Sequence, residues 1–174
     1  QNVTATTDAV LSASGNITGD GVVSATNLGL DATDIGTSAN SFDTSATNLA
    51  IDSEGNAYVQ DAGSVTLVNS VTATAVGDSV TGNDATGDYR VRAVGDLTVN
   101  DAVTGGDITL IAGVGSAITL NNSVGDGGTA NVVLRARGNL IQSAGTVQAT
   151  NVGLSANNIG ASGDSFDTNA TNLA

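Results

Sequence analysis

Apolar side chains along this chain arrive in short runs that alternate with polar ones. Val65-Thr66-Leu67, Leu97-Thr98-Val99, Ile108-Thr109-Leu110 and Ile118-Thr119-Leu120 each place an apolar residue at every second position. A period of two is that of a strand with one buried face. No stretch long enough for a helix repeats its apolar residues with a 3.6-residue period. Gly, Asn, Asp, Ser and Thr separate the β-branched runs throughout, which is the punctuation of strands joined by tight turns. The pattern predicts an all-β chain.

The runs recur. Residues 21–50 align without a gap to residues 145–174, an offset of 124, and 20 of the 30 positions are identical, among them ATN, SFDT and the closing ATNLA. Upstream, VLSASGNI (10–17) matches VLRARGNL (133–140). A shorter period lies inside the long one. Asx residues precede alternating runs at Asp8, Asn27, Asn48, Asn69, Asp88, Asp107, Asn131, Asn151 and Asn172, about 20–21 residues apart. A glycine register (Gly15, Gly36, Gly55, Gly77, Gly95, Gly115, Gly138, Gly160) keeps the same time. Six such units fit into the long repeat.

A 20-residue period of short strands is that of a β-solenoid, in which each unit forms one coil and pairs with its neighbours. The expected fold is a right-handed parallel β-helix, about 20–21 residues per coil with three short strands in each, running continuously over 1–174. After each Asx the first, third and fifth positions are apolar, as in Leu28-Leu30-Ala32, Tyr89-Val91-Ala93, Ile108-Leu110-Ala112 and Val132-Leu134-Ala136, and these should point inward. The fourth positions, Ser12, Asp31, Asp52, Arg92, Ile111, Arg135 and Ser155, should point outward. The unit at Asn69 slips by one residue and predicts a bulge or a local insertion. Asx residues at corners should stack as ladders, and Gly should supply the positive φ of tight corners.

Composition narrows the chemistry. The chain has 174 residues, no Cys, His or Lys, four Arg, and 17 acidic residues, giving a net charge of −13. Without Cys or His there is no zinc site of the usual kind and no thiol nucleophile. A basic footprint for nucleic acid is missing, and no apolar run is long enough for a transmembrane helix, so neither a nucleic-acid partner nor membrane insertion is expected. Mean hydropathy of +0.12 argues against disorder. An export signal, if the protein is secreted, would lie outside these residues.

Phrases such as GDLTVNDAV, GDITLIAG, SAITLNNSVGDGG, GNLIQSAGTVQATN and LSANNIGASGDSFDTNATNLA resemble the repeat region of filamentous-haemagglutinin-type giant secreted bacterial proteins. The likeness covers essentially the whole chain. It implies a parallel β-helical shaft, exported and displayed at the cell surface as an adhesin or structural filament. It also implies self-association, end to end or laterally, with cell-surface glycans as a further partner. No counterpart of that family's amino-terminal secretion module is visible. Because the chain starts and stops partway through a long repeat, it is expected to be a window of a longer array or a protomer that stacks end to end.

No catalytic, cofactor-binding or metal-binding residue is assigned, no cofactor is expected, and the chain is not expected to be an enzyme. Asp31 with Asp34, Asp84 with Asp88, and Asp164 with Asp167 are the nearest carboxylate pairs, as a polysaccharide-active β-helix would need beside a cation. Only Arg90, Arg92, Arg135 and Arg137 could supply that cation. The glycine-rich nonapeptide of calcium-binding β-rolls is absent, leaving a stacked Asp31 and Asp52 as the one calcium candidate. The outward arginines could meet an acidic neighbouring filament or pair locally with Asp. Tyr58, Tyr89, Phe42 and Phe166 could stack on glycans, though Tyr89 falls on an inward position. An ice-binding face would need one Thr column on most coils. TATT (4–7) and Val71-Thr72-Ala73-Thr74 are the suggestive segments. Four glycosylation sequons, at Asn2, Asn16, Asn121 and Asn169, match the number that chance gives.

Overall fold

In the computed structural model, which describes residues 1–75, 77–160 and 165–174, the alternating runs stack on one another as parallel strands. Tyr89 pairs with Ile108, Ile108 with Val132, and Val132 with Val152, so each inward side chain lies on its counterpart one coil away. Among the described residues there is no helix. The chain is a parallel β-helix of about eight turns.

Three walls enclose the core. The first stacks Ala57–Asp61, Asp88–Ala93, Asp107–Val114, Asn131–Arg137 and the second half of Val147–Ser155. The second stacks Val65–Leu67, Leu97–Val99, Ile118–Leu120, Asn139–Gln142 and Asn158–Ile159. The third is held mostly by single bridges, such as Val103 to Val124 and Val124 to Val147. Near the amino-terminal end, longer strands bend round the corners. Phe42–Ser53 pairs with the first wall at Phe42 to Thr44, the second at Asn48 and Leu49, and the third at Ile51 to Ser53.

Two features depart from the regular period. Asn48 pairs with Thr66, not with Asn69. The Asn69 segment leaves the solenoid as an antiparallel hairpin, Ser70–Ala73 against Asp78–Thr81. It is the insertion that the register slip announced, and it stretches that coil to 32 residues. The hairpin folds back over the outer column Val10, Gly29 and Ala50, burying Val71 and Val80 against Ala50. Gly29 is required there, because a Cβ would come within 2.9 Å of the Val80 side chain. Irregular coils also turn the long repeat. Asn27 and Leu30 lie on the second and third walls, whereas their equivalents Asn151 and Leu154 lie at the start of, and within, the first. The 124-residue repeat therefore does not contain a whole number of coils, and the expected six are not present.

The glycine register divides in its physical role. Gly36, Gly77, Gly115 and Gly160 hold positive φ. Gly138 instead lies against the carbonyls of Gly115 and Ser116 in the next coil, where a Cβ would be 2.8 Å from both oxygens.

Inward columns carry Leu, Ile, Val and Ala, and most are wholly buried. Tyr89 is also wholly buried, and its hydroxyl donates to Asn83 Oδ1 at 3.1 Å. Asn83 donates in turn to the Val68 carbonyl at 2.8 Å, anchoring the start of the hairpin. Asp61 occupies the buried corner column, where Thr44 Oγ1, the Ala46 amide and the Gly63 amide all donate to it at 2.8 Å. Such donors replace the water that a buried carboxylate loses. Leu110, between Val91 and Leu134, tests the core. Leu110→Ala should lower unfolding stability by about 2–5 kcal/mol in urea titration, whereas an outward Thr109→Ala should change it by less than about 1 kcal/mol.

Candidate functional site

The expected Asx ladders are present, the longest in two separate files. On the second wall Asn27 Nδ2 donates to Asp8 Oδ1 at 2.6 Å, and Asn48 Nδ2 to Asn27 Oδ1 at 2.7 Å. At the start of the first wall, Asn131 donates to Asp107 at 2.7 Å, Asn151 to Asn131 at 2.8 Å, and Asn172 to Asn151 at 2.8 Å. An amide carries both donor and acceptor, so it pairs with its own kind at each step. These files fix register and leave the rest of the surface to carry recognition.

Aspartate cannot pair with itself in that way. Asp31, Asp52 and Asp84 stack on three successive coils of the third wall. Ser12 Oγ donates to Asp31 at 2.9 Å. Burial, with the charges of Asp31 and Glu54, pushes the Asp52 carboxyl above its ordinary range. Burial, with the charges of Asp52 and Asp101, does the same to Asp84. Among the described residues no group of three or more acidic side chains converges to hold a metal ion. The column is thus a file of like charges held apart only by the strand spacing.

The four arginines, the only cationic side chains of the chain, gather on the first wall. Arg92 and Arg135 face outward on either side of Ile111, one coil from each. Arg90 stands two residues before Arg92, and Arg137 lies opposite Val114. A register shift between Ile111 and Val114 lifts Val114 to 80% exposure. Gly113, at the edge of the depression beside Val114, allows the close approach of the Val94 carbonyl, which a Cβ would overlap. The result is a groove of about 550 Å³ lined by Val94, Ile111 and Val114 together with all four arginines. Among the described residues no arginine side chain donates to a carboxylate, so the local pairing with Asp that the sequence allowed is not formed. The nearest carboxylate on the same strand, Asp88, instead accepts from the Tyr58 hydroxyl at 2.6 Å. That bond, with burial and the Asp88 charge, pushes the Tyr58 phenol up to about 12, the Arg90 charge opposing the shift.

The remaining candidates separate. Asp34 accepts from the Asn56 backbone amide at 2.8 Å and from its side chain at 3.1 Å, while Asp31 belongs to the acidic column. Asp84 lies on the third wall and Asp88 at the start of the first. Asp164, and so its pairing with Asp167, lies outside the described residues. Tyr58 is half-buried, Phe42 buried and Phe166 half-buried against the core. Thr72 belongs to the hairpin, where its hydroxyl bonds Ser79 at 3.1 Å. A Thr column does exist, on the second wall, through Thr66, Thr98 and Thr119. Its signal lay in the middle residue of the alternating triplets, but the column ends at Asn48 on one side and Ile141 on the other.

Comparison with protein-family models, with curated proteins and with solved structures returned no match. The surfaces themselves are the basis for a functional reading.

The acidic column sets a pH dependence. Folded-state values above the unfolded one mean that the native state binds more protons, so these two carboxyls lower stability as pH rises through their folded range. Asp52→Asn and Asp84→Asn should each raise stability at pH 7 by about 0.2–1 kcal/mol, the cost of like charges opposite one another in a sheet. The gain should fade below about pH 4, where the unfolded carboxyls are also protonated. Thermal melts of both variants against the parent at pH 7 and pH 3 check the sign.

Proposed function

We propose that the chain is a structural shaft segment of an extracellular filament or giant surface adhesin, acting through rigid, self-associating β-helical coils. The observation that carries this reading is the parallel ladder among the described residues, from Val3 at one end to Leu173 at the other, in which backbone pairing and apolar core repeat from coil to coil. A rod of this kind resists bending because each coil is hydrogen-bonded to the next along three walls. The acidic surface keeps rods soluble. The resemblance in GDLTVNDAV and its companion phrases supports surface display, with cell-surface glycans as a second partner.

A second reading, an ice- or carbohydrate-binding solenoid, is favoured by the Thr66, Thr98 and Thr119 column. Three coils in about eight make a short face.

Electron microscopy of the native material separates the two. The shaft reading expects continuous threads with an axial repeat of about 4.8 Å, the inter-strand spacing. Discrete particles about eight coils long, with thermal hysteresis or glycan binding abolished by Thr98→Ala, would support the second reading instead.

A further inference from the structure

The arginine groove and the acidic column share one geometry. Arg92 and Arg135 are separated by two strand steps with Ile111 between them, and Asp31 and Asp84 are separated by two strand steps with Asp52 between them. Both pairs are spaced by the same backbone ladder, about 9.5 Å for two steps. On one molecule the two features lie on different walls, so they cannot meet. We propose that the groove receives the Asp31, Asp52 and Asp84 column of a second copy of this chain, giving lateral association of rods side by side.

Charge complementarity argues for this occupant. Each flanking arginine meets a carboxylate at equal spacing, and the central Asp52 lies over Ile111, the apolar middle of the groove. Asp52, whose charge is disfavoured in the free rod by burial and by its neighbours Asp31 and Glu54, then lies between the two flanking guanidinium groups. Guanidinium and carboxylate form paired, charge-assisted hydrogen bonds. Long-range repulsion between two copies of net charge −13 opposes the contact, but at about 0.15 M salt the screening length is roughly 8 Å. Contact pairs survive there while the net repulsion is damped. Association should therefore be strongest near that ionic strength, and weaker both in very dilute buffer and in molar salt.

The contact also fixes an axial offset. Arg92 and Asp84 belong to the same coil, eight residues apart, with the groove extending toward the carboxyl-terminal end and the column toward the amino-terminal end. Seating Asp52 on Ile111 with axes parallel displaces the second rod by two coils. Because groove and column are different patches, the contact is heterologous and leaves one of each free on every pair, so it propagates into sheets or bundles instead of closing as a dimer.

This inference deepens the shaft reading by naming the lateral partner, and it does not require end-to-end growth. The test uses two charge-reversed variants, Arg92→Glu/Arg135→Glu and Asp31→Lys/Asp84→Lys, followed by sedimentation and electron microscopy at 0.15 M salt, with circular dichroism to confirm folding. Each variant alone should lose lateral association, and an equimolar mixture should regain it, since the acidic column of the first fits the intact groove of the second and the two reversed patches fit each other. The chain has no cysteine, so Asp52→Cys mixed with Ile111→Cys should give an intermolecular disulfide under mild oxidation. A parent that stays unassociated laterally, a folded variant that associates as the parent does, or a mixture that fails to recover would overturn the proposal. Threads that persist singly in Arg92→Glu/Arg135→Glu leave the shaft reading intact, whereas lateral pairs without threads would overturn that reading alone.

Discussion

Everything in this molecule depends on the in-register parallel ladder, which sets each residue about 4.8 Å from its counterpart one coil away. A side chain in such a stack is judged chiefly by how it tolerates its own kind. Leu, Ile and Val pack on themselves inside, as at Leu110 on Leu134. Asn pairs with Asn outside, donating with one amide atom and accepting with the other. Asp does neither, and where three stack, Asp52 and Asp84 are pushed toward their neutral form. The same spacing that stabilises the core therefore writes charge onto the surface as lines.

The fold was legible because stacking is periodic and periodicity survives in sequence. The inward triplets from Leu28-Leu30-Ala32 to Val132-Leu134-Ala136 are buried as their alternation required, and Tyr89, though aromatic, follows its column inside. The Asx landmarks were right as local signals and misleading as a count. Asn69 arrives on time, but its segment departs into a hairpin whose own length nearly restores the beat. A spacing rule cannot distinguish a landmark that opens a coil from one that opens an excursion. The antiparallel pairing of Val71 with Val80 is a contact across a turn, and no periodicity records it.

The surfaces were partly legible. Outward positions for Arg92, Ile111, Arg135 and the Asp31 and Asp52 pair followed from alternation alone. Their grouping did not, because it needs the register between coils of unequal length. Asp84 joins the column only because a 32-residue coil delivers it there. Val114 reaches the groove only through a one-residue register shift. The Thr66, Thr98 and Thr119 file went unseen for the opposite reason: its residues sit at the centre of three-residue strands, away from the Asx landmark used to align the coils.

The slip between the long repeat and the coil has an optical analogue in a spiral staircase, where the same tread faces a new direction at each storey. Asn27 of the text that begins at Gly21 and Asn151, its counterpart in the text that begins at Gly145, are presented to two different sides of one rod. A flat partner lying along one side meets that residue in only one of its two copies, while partners approaching from different directions can each meet one.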